Sequence, residues 1–349
     1  MRRFAFLVHP RSSAREDMGK VFFPFYFVPE KILQKFIPFL NPIVGGKVVF
    51  PKNKEIKGWI IWVPLLGKQI FAFPKEFVLR KIIKAIEVAK KLGAKWVGLG
   101  EFISCITRGG KDLIGRVDGV FIDNGKFLTA TSIVKAIKKI SEIKKIDLLK
   151  EKIAIVGAGG SIGKGVALYF AEKNYPLILI DKSRKIKAME EIFSRFKNVI
   201  LKSEISQIKP AKIVIVATSS TENLIKAEDL GRETIVYDIT QPRNTSPEIL
   251  KKRKDITIVD GGIFDTPLID YGVNIGLKKH QAYACLAETI ILTLEGRERH
   301  FLQEATPENI KKGLELLEKY KDYFKLNIFQ SFGKPLNENL KPIKYGFKH

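Results

Sequence analysis

The sequence is poor in cysteine, histidine, methionine and tryptophan, and its acids are outnumbered by its bases. Two cysteines in 349 residues cannot staple a small secreted scaffold, so a disulfide framework is excluded and a reducing cytoplasm is the expected compartment. Four histidines, His9, His280, His300 and His349, are scattered without ligand spacing, so no metal site is expected. No apolar run approaches the ~20 residues that a membrane-spanning helix needs, because Pro24, Pro29, Lys31, Lys35 and Pro38 interrupt the most hydrophobic stretch. The 37 acids against 61 Lys and Arg leave a formal charge of +24. That surplus favours anionic partners without choosing among nucleic acid, a membrane face, an acidic protein and phosphorylated small molecules. No helix-turn-helix, zinc or RNA-binding pattern accompanies it, so nucleic acid is not expected.

What is present is enough apolar material, 45% of residues, to build the cores of two ordinary domains. Phenylalanine is concentrated early: 15 of 24 Phe and all three Trp precede residue 130. Residues 21 to 46 carry aromatics with no helical or strand period, broken by four prolines, and read as irregular structure with possible peripheral membrane contact. WIIWVPLL then reads as a strand. Phe77, Val78, Ile82, Ile83, Ile86 and Ala89 recur at three- and four-residue steps and stop at Gly93, which is an amphipathic helix with a glycine end. A strand at WVGL and a helix from Thr129 follow.

From Lys152 the pattern changes to short β-type runs alternating with helical runs, KIAIVG, PLILID, NVIL, KIVIVAT, TIVYDI and ITIVDGG. Such spacing implies parallel βαβ units. The expected architecture is therefore α/β: a Rossmann-type doubly wound parallel sheet over residues 149–275, preceded by an α/β N-terminal domain (1–148) and followed by C-terminal helices (276–349).

The strongest motif is KIAIVGAGGSIGKGVALYF. A β run ends in Gly157, Gly159, Gly160, Ser161, Ile162 and Gly163, and a helix begins at once. Glycine is required where backbone turns sharply or approaches a diphosphate, and the helix N-terminus favours the anion. Ile162 breaks the strict G-x-G-x-x-G, and Gly157, Gly160 and Gly163 fit G-x-x-G-x-x-G instead. A second strand ends in the acid Asp181, which completes the context for NADH or NADPH. Asp181 would accept hydrogen bonds from a ribose 2′-OH, whereas Lys182 and Arg184 would grip a 2′-phosphate. Thr218, Gly261 and Gly262, at later strand ends, are further cofactor-side or oxyanion-donor candidates.

Cys285, in QAYACLAETIIL, admits two readings: a small buried helix residue among alanines, or a thiolate favoured by Lys278, Lys279 and His280. Cys105 has the same ambiguity.

Taken in order, the motifs resemble the long-chain acyl-acyl carrier protein reductases best known from cyanobacteria. The resemblance rests on GLGEF (residues 98 to 102), DNGKFLTATSIV, GAGGSIG, YDITQPRN, DGGIFD and YACLAET, over nearly the whole chain. Glu101 stands where that family has glycine, and Asp181 where it tends to carry arginine. The resemblance implies a catalytic Cys285 that takes an acyl group from acyl carrier protein or acyl-CoA as a thioester, and His280 is the candidate for assisting it. NAD(P)H would then reduce the thioester to a fatty aldehyde. The alternative on the same architecture is a shikimate- or amino-acid-dehydrogenase-like enzyme that passes hydride directly to a small keto or imino acid, with Cys285 structural. Oligomeric state is not legible.

Overall fold

The computed structural model describes residues 1–10, 13–20, 22–51 and 55–336, and His349 lies outside them. The chain forms two compact units, one from Met1–Leu128, Phe264–Gln303 and Leu317–Lys325, the other from Thr129–Ile263, Glu304–Leu316 and the residues from Leu326 onward.

The first unit is built on a five-stranded sheet. Strand β1 (Arg2–Val8) is followed by helices α1 (Ala14–Gly19) and α2 (Glu30–Phe36), then by β2 (Ile43–Val49) and β3 (Ile56–Trp62). Helices α3 (Gly67–Ala72) and α4 (Lys75–Lys91) lead to β4 (Trp96–Leu99), α5 (Glu101–Ile106) and β5 (Phe121–Asp123). The strand order is β2-β3-β1-β4-β5, parallel except for the edge strand β2. Helix α4 buries Val78, Leu79, Ile82, Ala85, Ile86 and Ala89, the stripe its spacing predicts, and the chain leaves it at Gly93. The segment expected to be irregular is more regular than that. Two 3₁₀ turns, Phe23–Phe27 and Ile37–Phe39, flank α2. Each has proline at its first or second position, where the missing N–H costs no internal hydrogen bond.

Helix α6 (Lys126–Lys144) carries the chain into the second unit. There β6 (Ile153–Val156), α7 (Ser161–Ala171), β7 (Leu177–Ile180), α8 (Ser183–Phe193) and β8 (Val199–Lys202) form one half. Strands β9 (Ile213–Val216), β10 (Ile235–Asp238) and β11 (Thr257–Asp260), with α9 (Pro247–Lys252), form the other. All six strands are parallel in the order β11-β10-β9-β6-β7-β8. The chain winds outward in both directions from β6, so β6 and β9 flank the switch point at which open sheets of this kind bind ligands. IAIV, LILI, IVIV and IVYD are buried throughout, the uninterrupted apolar runs of strands covered on both faces. The doubly wound α/β architecture is therefore the observed one.

The units do not follow the expected 1–148, 149–275 and 276–349 divisions. The first boundary falls within α6, and the chain returns to the first unit through β12 (Ile263–Asp265), β13 (Gln281–Tyr283) and α10 (Ala284–Glu295). Helix α10 is apolar nearly all round, with Leu286, Ala287, Ile290 and Ile291 fully buried, so it cannot stand as a surface helix. It packs on β1 and β4, where an added Cβ at Gly98 would lie 2.0 Å from Thr289 Oγ1.

Candidate active site

In the second unit the glycine loop has the geometry of an anion cradle. Gly157 turns at φ +88°, and its N–H reaches the Ile180 carbonyl at 2.8 Å. A side chain there would meet the Ala217 carbonyl at 2.5 Å, and one at Gly163 would meet the Gly157 carbonyl at 2.3 Å. The first intrahelical bond of α7 runs from Lys164 N–H to the Gly160 carbonyl. The N–H groups of Ser161, Ile162 and Gly163 therefore have no acceptor within the helix, which is what a diphosphate requires.

Asp181, at the tip of β7, faces this loop. Its Oδ2 accepts from Gly159 N–H at 2.9 Å and its Oδ1 from Lys182 N–H at 2.8 Å, while Lys185 Nζ stands 3.4 Å away. The basic neighbour on the carboxylate is thus Lys185, and the side chains of Lys182 and Arg184 are exposed. A fixed carboxylate here accepts from ribose hydroxyls and repels a 2′-phosphate. Replacing Asp181 by Ala is expected to raise the NADPH-to-NADH ratio of kcat/KM by about tenfold, equivalent to about 1.4 kcal/mol. An unchanged ratio would remove Asp181 from cofactor choice.

Two of the expected donors are already engaged. Gly261 N–H donates to the Asp238 carbonyl at 2.7 Å, and Gly262 N–H to Tyr237 Oη at 2.9 Å. These glycines shape the turn after β11 and are not open oxyanion donors, which corrects the sequence reading. Thr218 Oγ1 accepts from Ser220 N–H at 3.3 Å, leaving its own O–H to donate. Ser161 Oγ donates to the exposed carboxylate of Glu304 at 2.6 Å.

The chemistry of the first unit gathers at the carboxyl ends of β4 and β5 and the first turn of α10. Gly125, at φ +70°, lies against Cys285: a Cβ on it would sit 2.4 Å from the Cys285 Cβ. Asp123, wholly buried at the end of β5, accepts from Gly125 N–H at 3.0 Å and from Thr289 Oγ1 at 2.6 Å. Glu288, 2% exposed, accepts from Leu128 N–H at 2.6 Å through Oε2, while its buried Oε1 meets no donor. The Glu288 and Asp123 carboxyls also meet each other, a contact that needs a proton on one of them to be a hydrogen bond. Burial raises both carboxyls above their ordinary range, and for Glu288 the neighbouring Asp123 charge adds to it. Both shifts favour the protonated form of the pair.

Cys285 inherits this environment. Burial, then Glu101, Asp123 and Glu288, push its thiol far above the ordinary range. The charges that act on the half-buried sulfur are acidic, whereas the sequence reading looked to Lys278, Lys279 and His280. His280, at φ +59°, places Nδ1 2.7 Å from the Ile269 carbonyl, which orients the ring. Cys105 is exposed and stands one helical turn beyond Glu101 on α5. Asp123 and Glu288 went unremarked in the sequence, although Glu288 and Thr289 stand three and four residues beyond Cys285, the helical spacing that puts side chains on one face. Among the described residues no group of His, Cys, Asp and Glu has the arrangement of a metal site.

Comparison with known proteins fits the second unit best. A family model described as shikimate / quinate 5-dehydrogenase matches residues 136–260. Aminotransferase PigE of a Serratia species is 27% identical over 277 residues, covering 77% of this chain and 32% of that protein. A glutamyl-tRNA reductase of a Picosynechococcus species is 27% identical over 178 residues, covering 48% of this chain and 41% of its own length. The chain thus spans about a third to two fifths of these curated relatives. A chorismate mutase/shikimate 5-dehydrogenase fusion protein from Clostridium acetobutylicum is a solved structure with TM-score 0.38 and 13% identity, covering 91% of this chain and 98% of that one.

These matches overturn the resemblance to the acyl-acyl carrier protein reductases. The family model that matches is the shikimate / quinate dehydrogenase one, over residues 136–260, and the curated relatives are of other kinds. What holds is coarser: an oxidoreductase-type chain with a Rossmann unit suited to a nicotinamide dinucleotide. Among the described residues no helix is long and apolar enough to cross a membrane.

Proposed function

We propose that the protein reduces a small oxo or imino compound directly, in the manner of shikimate- and amino-acid-dehydrogenase-like enzymes. The observation that carries this reading is the dinucleotide cradle of the second unit, where the N–H groups of Ser161, Ile162 and Gly163 have no acceptor within α7 and Asp181 stands at the next strand end. Reduction of a carbonyl adds hydride at carbon and a proton at oxygen, and the nicotinamide, when bound, supplies the hydride. The free N–H groups of α7 hold its diphosphate, and Asp181 accepts from its ribose. The proton that completes the reduction is drawn from solvent water. The match to the shikimate / quinate dehydrogenase model supports the same class.

A second reading is reduction of an activated acyl group, an ester or a thioester on a carrier protein or CoA, through Cys285. It is favoured by the glutamyl-tRNA reductases among the relatives and by the place of Cys285 in the first turn of α10. The two are separated by one assay, oxidation of NADH or NADPH against a panel of 2-oxo acids, cyclic ketones and imines, with acyl esters and thioesters alongside. Turnover of an oxo or imino compound that survives Cys285→Ala is the expected result. Turnover confined to acyl donors, and abolished by Cys285→Ala, would replace the proposal with the second reading.

A further inference from the structure

Far fewer of the apolar residues between Phe22 and Val44 are buried than the composition of this segment would suggest. Phe23, Phe27 and Phe39 are 67%, 76% and 77% exposed, and Phe22, Ile32 and Phe36 are each more than half exposed. A shallow groove lined by Phe22, Phe25, Leu40, Pro42, Ile43 and Val44 adjoins them. Scattered apolar residues on a surface need no explanation, but a contiguous cluster of large aromatics does.

The cluster is held in place. Glu30 Oε1 and Oε2 accept from Ala14 N–H at 2.8 Å, Arg15 N–H at 2.9 Å and Ser13 Oγ at 2.9 Å, which fixes the start of α2 to the start of α1. Gln69 Nε2 donates to the Gln34 carbonyl at 2.7 Å and ties α2 to α3. The Tyr26 ring lies so close over Gly19 that an added Cβ would be 2.7 Å from it. The exposed rings therefore project from a fixed platform.

Charge identifies the occupant. From Ala14 to Lys47 the chain carries the bases Arg15, Lys20, Lys31, Lys35 and Lys47 against the acids Glu16, Asp17 and Glu30; Lys20 pairs with Asp17 at 3.0 Å and the Glu30 carboxylate is turned inward onto α1, so exposed bases outnumber the exposed acid Glu16. A second copy seated on this face would set lysines against lysines. An anionic bilayer supplies the opposite charge and an apolar layer for the rings. We infer that the α1–α2 platform is an interfacial docking surface for anionic lipid, with Phe23, Phe27 and Phe39 entering the headgroup region and the lysines meeting phosphates.

The test is flotation of the full chain with phosphatidylcholine vesicles, with and without phosphatidylglycerol, using wild type, Phe23→Ser/Phe27→Ser/Phe39→Ser and Lys31→Glu/Lys35→Glu. Because these side chains are exposed, melting temperatures are expected to stay unchanged. Wild type is expected to float with the anionic vesicles, and each variant to bind about tenfold less, since both apolar burial and charge contribute. Absence of wild-type flotation, or equal binding by the serine variant, would overturn the inference. So would wild type that is dimeric by sedimentation without lipid while the serine variant is monomeric, because a second copy would then cover the face.

Discussion

Glu288→Ala is expected to lose about 3–5 kcal/mol of folding stability, whereas Glu288→Gln stays within about 1 kcal/mol of wild type at pH 6. Alanine removes the acceptor of the Leu128 N–H and the donor to Asp123 at once, in a place closed to water. Glutamine keeps both, its oxygen accepting from Leu128 and its amide donating to Asp123. The pH dependence separates them further. Both carboxyls have raised folded-state pKa values, so the folded protein binds more protons than the unfolded chain above the ordinary carboxyl range of about 4. Stability from this source is complete below that range and is lost as pH rises through the folded-state values. Glu288→Gln cannot lose that proton. Urea melts at pH 6 and pH 9 are expected to show wild type falling relative to Glu288→Gln. Parallel curves for the two proteins would mean the pair shares no proton.

Gly125→Ala is expected to be nearly as damaging, at about 2–4 kcal/mol, for a reason independent of charge. At φ +70° an L side chain is strained, and its Cβ would lie 2.4 Å from the Cys285 Cβ and 3.0 Å from its Cα. Shortening Cys285 to Ala leaves both of those atoms in place. The double variant Gly125→Ala/Cys285→Ala is therefore expected to melt no higher than Gly125→Ala, and a recovery of stability would show that the sulfur, not the backbone of α10, sets the limit.

The second unit was legible because its signals are local. Four-residue apolar runs, a glycine loop and an acid at the next strand end all act within some thirty residues, and the structure places them as the pattern requires. The first unit was only half legible. Helix α4 announced itself by period, but the prolines between Pro24 and Pro42 obscured two 3₁₀ turns and a short helix that no periodicity marks. Helix α10 read as part of a separate C-terminal segment, since nothing in its own sequence says that its apolar faces close on β1 and β4.

The surroundings of Cys285 were hidden for the same reason. The lysines and histidine close to it in sequence suggested a basic setting, yet the groups that set its proton affinity come from α5, β5 and α10 itself. Electrostatics at a half-buried atom depends on distance in space, and residues 101, 123 and 285 become neighbours only through the fold. Gly261 and Gly262 failed as donors for a related reason, because a backbone N–H is available only if the fold has not already used it.

The rate of alkylation of Cys285 by iodoacetamide as a function of pH, read by mass spectrometry against exposed Cys105, tests the central claim directly. The account predicts a Cys285 rate that keeps climbing through pH 9 with no plateau, because its thiol remains protonated. A titration with a midpoint at or below pH 7 would contradict it and return Cys285 to the role of a nucleophile.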